Sequence, residues 1–112
     1  MIRPYLRRHT PGKMNGLESD YAYELEMQRH AGHIVRWRFE SIRLALADNT
    51  TYLPDFVVTF DDHIELHEVK GHWTTHGRAK WKVAAELYPE FKFIAARRIK
   101  GEWIYEYYKH GR

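Results

Sequence analysis

The chain contains no cysteine, which removes disulfide bridges and thiolate metal sites and fits a reducing, cytoplasmic setting. It has no run of about 18 apolar residues, so no membrane-spanning helix is expected. Its first residues, MIRPYLRRHTPGK, lack the apolar stretch of a secretory signal. They also lack one sign of charge, since Arg3, Arg7, Arg8 and Lys13 stand there without a single acid. There is no internal repeat or low-complexity tract, and no segment is biased enough to be read as disordered.

What remains is 112 residues, 44% hydrophobic and 15% aromatic, enough for one domain with a modest core. The formal net charge is +3, and eight histidines enlarge it when protonated. The basic excess gathers in the N-terminal segment and around ARRIKGEW. Such patches favour a polyanion, of which nucleic acid is the commonest, although a solvated surface also accounts for them.

Pro4 and the TPGK stretch predict an irregular basic arm over residues 1–13, followed by a single domain over 14–112. A helix fits from Asn15 or Gly16 to about His30, with Asn15 as N-cap and Gly32 as the stop. At 100° per residue, Met14, Leu17, Tyr21, Ala22 and Leu25 share one face, and Glu18 falls inside that apolar arc. Glu24 lies at its edge. Strands follow in IVRWRF, SIRLALA, YLPDFVVTF and HIELHEVK, with DNTT as a turn. WTTHGRAKWKVAAELYPE reads as a second helix, capped near Thr74 or Thr75 and ended around Pro89. Its expected buried face is Trp81, Val83, Ala84, Leu87 and Tyr88, with Lys80 in the same arc. FKFIAA and EWIYEYY are two more strands around an RRIKG turn, and their alternating aromatics read as core. The order α-β-β-β-β-α-β-β predicts an α/β or α+β sandwich in which helices flank one mixed sheet.

The polar residues of the central hairpin need a reason, because an unpaired buried charge is costly. Side chains alternate along a strand, so Ile64, Leu66, Glu68 and Lys70 share a face, as do Asp55, Val57 and Thr59. If the two strands pair antiparallel, Asp55, Glu68 and Lys70 meet at one end of the hairpin. Two close carboxylates repel unless a cation lies between them. Hard oxygen ligands without cysteine favour Mg²⁺ or Mn²⁺. A divalent ion beside a lysine is the equipment of phosphodiester hydrolysis. As an alternative, Asp55 is a turn residue and Glu68 with Lys70 an exposed ladder pair. His67 faces away from Glu68 and reads as packing, while His72, Trp73 and His76 lie just beyond the motif and are not assigned to chemistry.

Pro54-Asp55 and Glu68-Val69-Lys70, followed by Gly71, resemble the motif of the PD-(D/E)XK nuclease superfamily. TYLPDF with HEVKGHW is most similar to the phage endonuclease I family, which resolves Holliday junctions. The frame from LESDYAYELEMQRHAGHI to ELYPEFKFI, roughly residues 14 to 96, also resembles small phage-encoded members. The resemblance implies a restriction-endonuclease-like core. It implies that Glu18, on the first helix, reaches the metal, with Asp55, Glu68 and the Val69 carbonyl as further ligands. Lys70 would be the catalytic lysine, and Lys80 a polar contribution from the second helix. Cleavage would leave a 5′-phosphate.

The expected function is therefore a Mg²⁺-dependent DNA endonuclease acting on branched DNA. Arg3, Arg7, Arg8, Arg97, Arg98 and Lys100 are expected to grip phosphates, and a homodimer would give paired cuts. A nicking or end-processing nuclease, or a non-catalytic DNA-binding module on the same fold, are the alternatives.

Overall fold

A computed structural model describes residues 6–110 of the chain; Arg3 lies outside them. The elements run β1 (Leu6–Arg8), α1 (Gly16–His30), β2 (Arg36–Phe39), β3 (Ile42–Ala47), β4 (Thr50–Tyr52), β5 (Phe56–Thr59), β6 (Ile64–Lys70), α2 (Thr75–Leu87), β7 (Lys92–Ile99) and β8 (Glu102–Tyr107). The class is α+β. The strands form two sheets rather than the one expected: β1-β3-β4, and β2-β5-β6-β7-β8.

Both helices begin where a side chain can satisfy their free N–H groups. Asn15 accepts from the Glu18 amide at 2.8 Å while the Glu18 carboxylate accepts from the Asn15 amide at 2.8 Å, a reciprocal capping box. Thr74 accepts from Gly77 N at 2.9 Å at the start of α2. After α1 the chain leaves the helix through Gly32 at φ 81°, a backbone angle that suits glycine.

Two expectations fail for reasons of backbone chemistry. YLPDFVVTF is not one strand, because Pro54 has no N–H to donate and sits between β4 and β5. The arm is not wholly irregular, because Leu6–Arg8 pairs antiparallel with the open edge of β3. After α1 has carried the chain from β1 to β2, it crosses directly between the sheets twice more, at Glu40-Ser41 and at Leu53-Pro54-Asp55. These crossings lie side by side, with the Glu40 amide donating to the Asp55 carbonyl at 2.8 Å.

The five-stranded sheet is the middle layer. On one side α1 buries Tyr21, Ala22 and Leu25 against Phe39, Phe56, Val58, Val69 and Ala96. On the other side α2 and the small sheet bury Trp81, Ala84, Ala85, Tyr88, Leu44 and Tyr52 against Leu66, Phe93 and Ala95. Val83 is exposed instead of buried, and Ala85 takes its place on the inner face of α2. Strand β6 sits between antiparallel β5 and parallel β7, with α2 as the crossover that a parallel pair requires. Strand β7 runs on through Arg97 and Arg98, so the final turn is Lys100-Gly101, both at positive φ (51° and 81°), as the tight hairpin turn demands. Strand β8 is an edge strand, and Ile104, Tyr105 and Tyr107 are exposed rather than core. Among the described residues no helix is long and apolar enough to cross a membrane.

Candidate active site

The register answers the question raised by the hairpin. Phe56 opposes His67 across β5 and β6, so one step further out Asp55 faces Glu68 on the same side of the sheet. Phe39 likewise opposes Phe56, which places Glu40 directly beyond Asp55 on its other flank. One row of side chains across three strands therefore reads Glu40, Asp55, Glu68. Helix α1 adds Glu18 from its first turn.

Carboxylate oxygens of Glu18, Glu40 and Asp55 all lie within 4.8 Å of one another. Asp55 is the most enclosed of the three, 9% exposed, with one oxygen accepting from the Val69 amide at 2.8 Å. Burial, and then the facing Glu68 charge, push its carboxyl up to about 8, against the pull of the Val69 N–H and of Lys70. The backbone N–H and C=O of one strand residue point to the same side, so the Val69 carbonyl faces the flank where its amide meets Asp55.

Glu68 is placed differently from the implied ligand set. It is 6% exposed and not one of the three clustered carboxylates. One of its oxygens accepts from the Tyr52 hydroxyl and the other pairs with the Lys70 ammonium at 3.0 Å. Burial pulls the Lys70 ammonium down, but Glu68, Asp55 and Glu18 outweigh that and hold it above its usual range. Glu68 and its facing charge in turn raise the Tyr52 phenol, which burial already pushes upward.

Glu40 was not singled out by sequence reasoning. Its signal was its position, a lone acid between two alternating runs where the chain must bend. It adopts φ 47°, its carboxylate accepts from Gly12 N at 2.9 Å, and its carbonyl bonds the His9 ring at 2.9 Å.

The basic residues divide. Arg7 and Arg8 lie on β1, exposed. Arg97 is the parallel neighbour of Lys70, half-buried, with its Nε enclosed and lacking a hydrogen-bond partner. Arg98 is instead committed to the fold, paired with Asp20 at 2.7 Å and lying over Trp103. Lys100 is exposed at the β7–β8 turn. Lys80 lines a cleft with Leu46, Ala47 and Val83 rather than joining the carboxylates.

On the α1 side of the sheet lies a second polar system that the sequence did not reveal. Glu65 binds His63 and His67, each at 2.8 Å, and His67 bonds the Tyr21 hydroxyl at 2.5 Å. Burial raises the Glu65 carboxyl, but the two histidines outweigh it and the net direction is downward. Tyr21 lies one helical turn after Glu18, so this network fixes the part of α1 that carries the Glu18 carboxylate. His72 and His76 are exposed, and Trp73 packs against Trp81 at 5.4 Å. Set against family models, curated proteins and solved structures, the chain matches none.

Proposed function

We propose that this protein is a metal-dependent DNA endonuclease of the PD-(D/E)XK type, built on a restriction-endonuclease-like core and acting on branched DNA. The supporting observation is the meeting of Glu18, Glu40 and Asp55 within 4.8 Å, beside the Glu68–Lys70 pair. A six-coordinate Mg²⁺ with oxygens at about 2.1 Å spans about 4.2 Å between opposite ligands. Carboxylate oxygens within 4.8 Å of one another are close to that span. All the donors are hard oxygens, which suits Mg²⁺ or Mn²⁺.

Such an ion supplies Lewis acidity toward the phosphate and a water acidified by coordination. The chain's own residues do the positioning. The capping box holds Glu18, and the Val69 amide orients Asp55. Glu68, anchored by Tyr52, holds the Lys70 ammonium where it can stabilise negative charge developing on the phosphate oxygens. Hydrolysis would leave the 5′-phosphate that the family resemblance implies, and Arg7, Arg8, Arg97 and Lys100 contact the backbone. Paired cuts in a two-fold junction call for a homodimer.

Linear, nicked and four-way-junction DNA incubated with Mg²⁺ or EDTA test the proposal. Cutting confined to junctions and abolished by EDTA supports it. General nicking assigns a nuclease of another duty. A gel shift without cutting in any metal assigns a binding module instead. Cleavage by Asp55→Ala or Lys70→Ala at the parent rate would show the site to be misplaced.

A further inference from the structure

Next to the carboxylates, between the small sheet and the edge of the large one, runs a groove of about 810 Å³. Its walls include Leu6 and Arg8 of β1, His9, Arg38 and Phe39 of β2, and Ile42 of β3. No acidic residue lines it among those described. We propose that this groove is a subsite for the DNA strand flanking the scissile phosphate, with Arg8 and Arg38 as its phosphate contacts; the inference rests on the nuclease reading and deepens it.

Three observations carry it. The first is charge. Arg29, Arg78 and Arg98 are each satisfied by a carboxylate, Glu26, Glu106 and Asp20 respectively. Arg8 and Arg38 reach the groove from different sheets, and neither has a carboxylate partner among the described residues. Two uncompensated guanidiniums on one concave surface favour an anion and suit the fork geometry of a phosphate. The second is continuity. The groove is lined on either side of Glu40, by Phe39 and by Ser41, and Glu40 belongs to the carboxylate group. Arg38 shares the sheet face of Glu40, two residues away, which is about 7 Å along a strand. A backbone laid in the groove therefore runs directly into the metal-binding residues. The third is the mixed lining. Leu6 and Ile42 offer apolar wall between the cations, which suits sugars and base faces and which a free inorganic anion would not use.

Arg38 was not among the residues read from the sequence as DNA-binding. It alternates with Trp37 and Phe39 in a strand, and only the fold brings it opposite Arg8.

The test is fluorescence anisotropy of labelled four-way-junction and duplex DNA with the full-length protein in EDTA, across roughly 50 to 200 mM salt. Arg8→Ala with Arg38→Ala together should weaken binding by tenfold or more. The double variant should also flatten the log–log salt slope by about 1.8, the value for two lost phosphate contacts. Arg38→Lys should keep the slope. Arg29→Ala, which removes an ion-paired charge on α1, should change neither. Circular dichroism on each variant identifies a folding defect, and the single variants Arg8→Gln and Arg38→Gln, each expected to flatten the slope by about 0.9, carry the test if the double alanine variant misfolds. An unchanged slope in the double variant, or an equal loss in Arg29→Ala, overturns the subsite. If the parent cuts DNA while the double variant binds as the parent does, the subsite falls and the nuclease reading stands. If binding depends on Arg8 and Arg38 but no metal supports cutting, the groove stands as a DNA site and the nuclease reading falls.

Discussion

Replacing Asp55 by Asn should stabilise the metal-free protein at alkaline pH while abolishing its response to Mg²⁺. Asp55 is 9% exposed and its carboxyl is pushed up to about 8 from an ordinary 3.8, first by burial and then by Glu68. An acid whose folded pKa is raised contributes its full stability below the unfolded value and loses it as pH climbs toward the folded one. The window is therefore pH 3.8 to about 8, with stability falling as pH rises. Four decades of displaced ionisation are worth on the order of 5 kcal/mol, and coupling to Glu68 and Lys70 brings the expected loss to about 2–4 kcal/mol. Asparagine keeps an oxygen for the Val69 N–H and cannot ionise. Urea unfolding in EDTA, followed by tryptophan fluorescence at pH 5, 7 and 9, should show the variant gaining on its parent by about that amount at pH 9 and little at pH 5. Adding Mg²⁺ at a hundred times its dissociation constant should restore about 2.7 kcal/mol to the parent and nothing to the variant. A variant less stable than the parent at pH 9, or an offset independent of pH, refutes the reasoning.

Lys70→Ala should lower junction cleavage by about 10²–10³-fold, as expected for loss of one preorganised cation. It should leave the Mg²⁺-dependent shift in the unfolding midpoint intact. Glu40→Gln should weaken Mg²⁺ binding by about tenfold, measured by titration calorimetry, because it removes one anionic ligand from the set; equal affinity would exclude Glu40 from that set. Tyr21→Phe should cost about 1–3 kcal/mol in denaturant unfolding, since it strands the buried His67 ring nitrogen.

The parts of the fold that were legible are those written locally. Asn15 with Glu18 is a capping box in four residues, and Thr74 marks the second cap, so both helices could be placed from sequence. The hairpin register followed from alternation alone, because Asp55 and Glu68 stand at matching offsets around the Asp61-Asp62 turn. What failed was decided at long range. The arm strand exists only because β3 has an open edge 34 residues or more away in the chain, as the Arg8–Ile42 pairing shows. Pro54 was read as a motif residue when it also ends a strand, and its N–H deficit moves the chain from one sheet to the other. The aromatics of β8 alternate as a core strand would, but an edge strand has only one neighbour and leaves Tyr105 and Tyr107 exposed.

The same limit explains the site. Glu18 could be flagged because it interrupts an apolar helical stripe, a local anomaly. Glu40 could not, since nothing in WRFESIR distinguishes it from an ordinary bend residue. It comes beside Asp55 only because the two sheet crossings are adjacent, joined by the Glu40 amide and the Asp55 carbonyl.

The contrast between Glu65 and the cluster of Glu18, Glu40 and Asp55 gives the strongest physical argument for a cation. Glu65, on the α1 face, is enclosed by the protein and lies between His63 and His67, and its carboxyl is held below the usual range. The chain supplies its own compensation there. At the end of the sheet, Glu40 and Asp55 from the two direct crossings crowd together with Glu18 from the first turn of α1, and the nearby ammonium, Lys70, is already engaged by Glu68. Asp55 moves the other way, upward, because a single backbone N–H cannot offset burial among like charges. The protein thus gives one buried carboxylate histidine partners of its own and leaves a neighbouring cluster without an ion-pair partner among the described residues. Each of the three carboxylates accepts a backbone N–H, from Asn15, Gly12 and Val69, but none has an ion-pair partner among the described residues, and the proposed hard dication would supply that missing charge at the mouth of an arginine-lined groove.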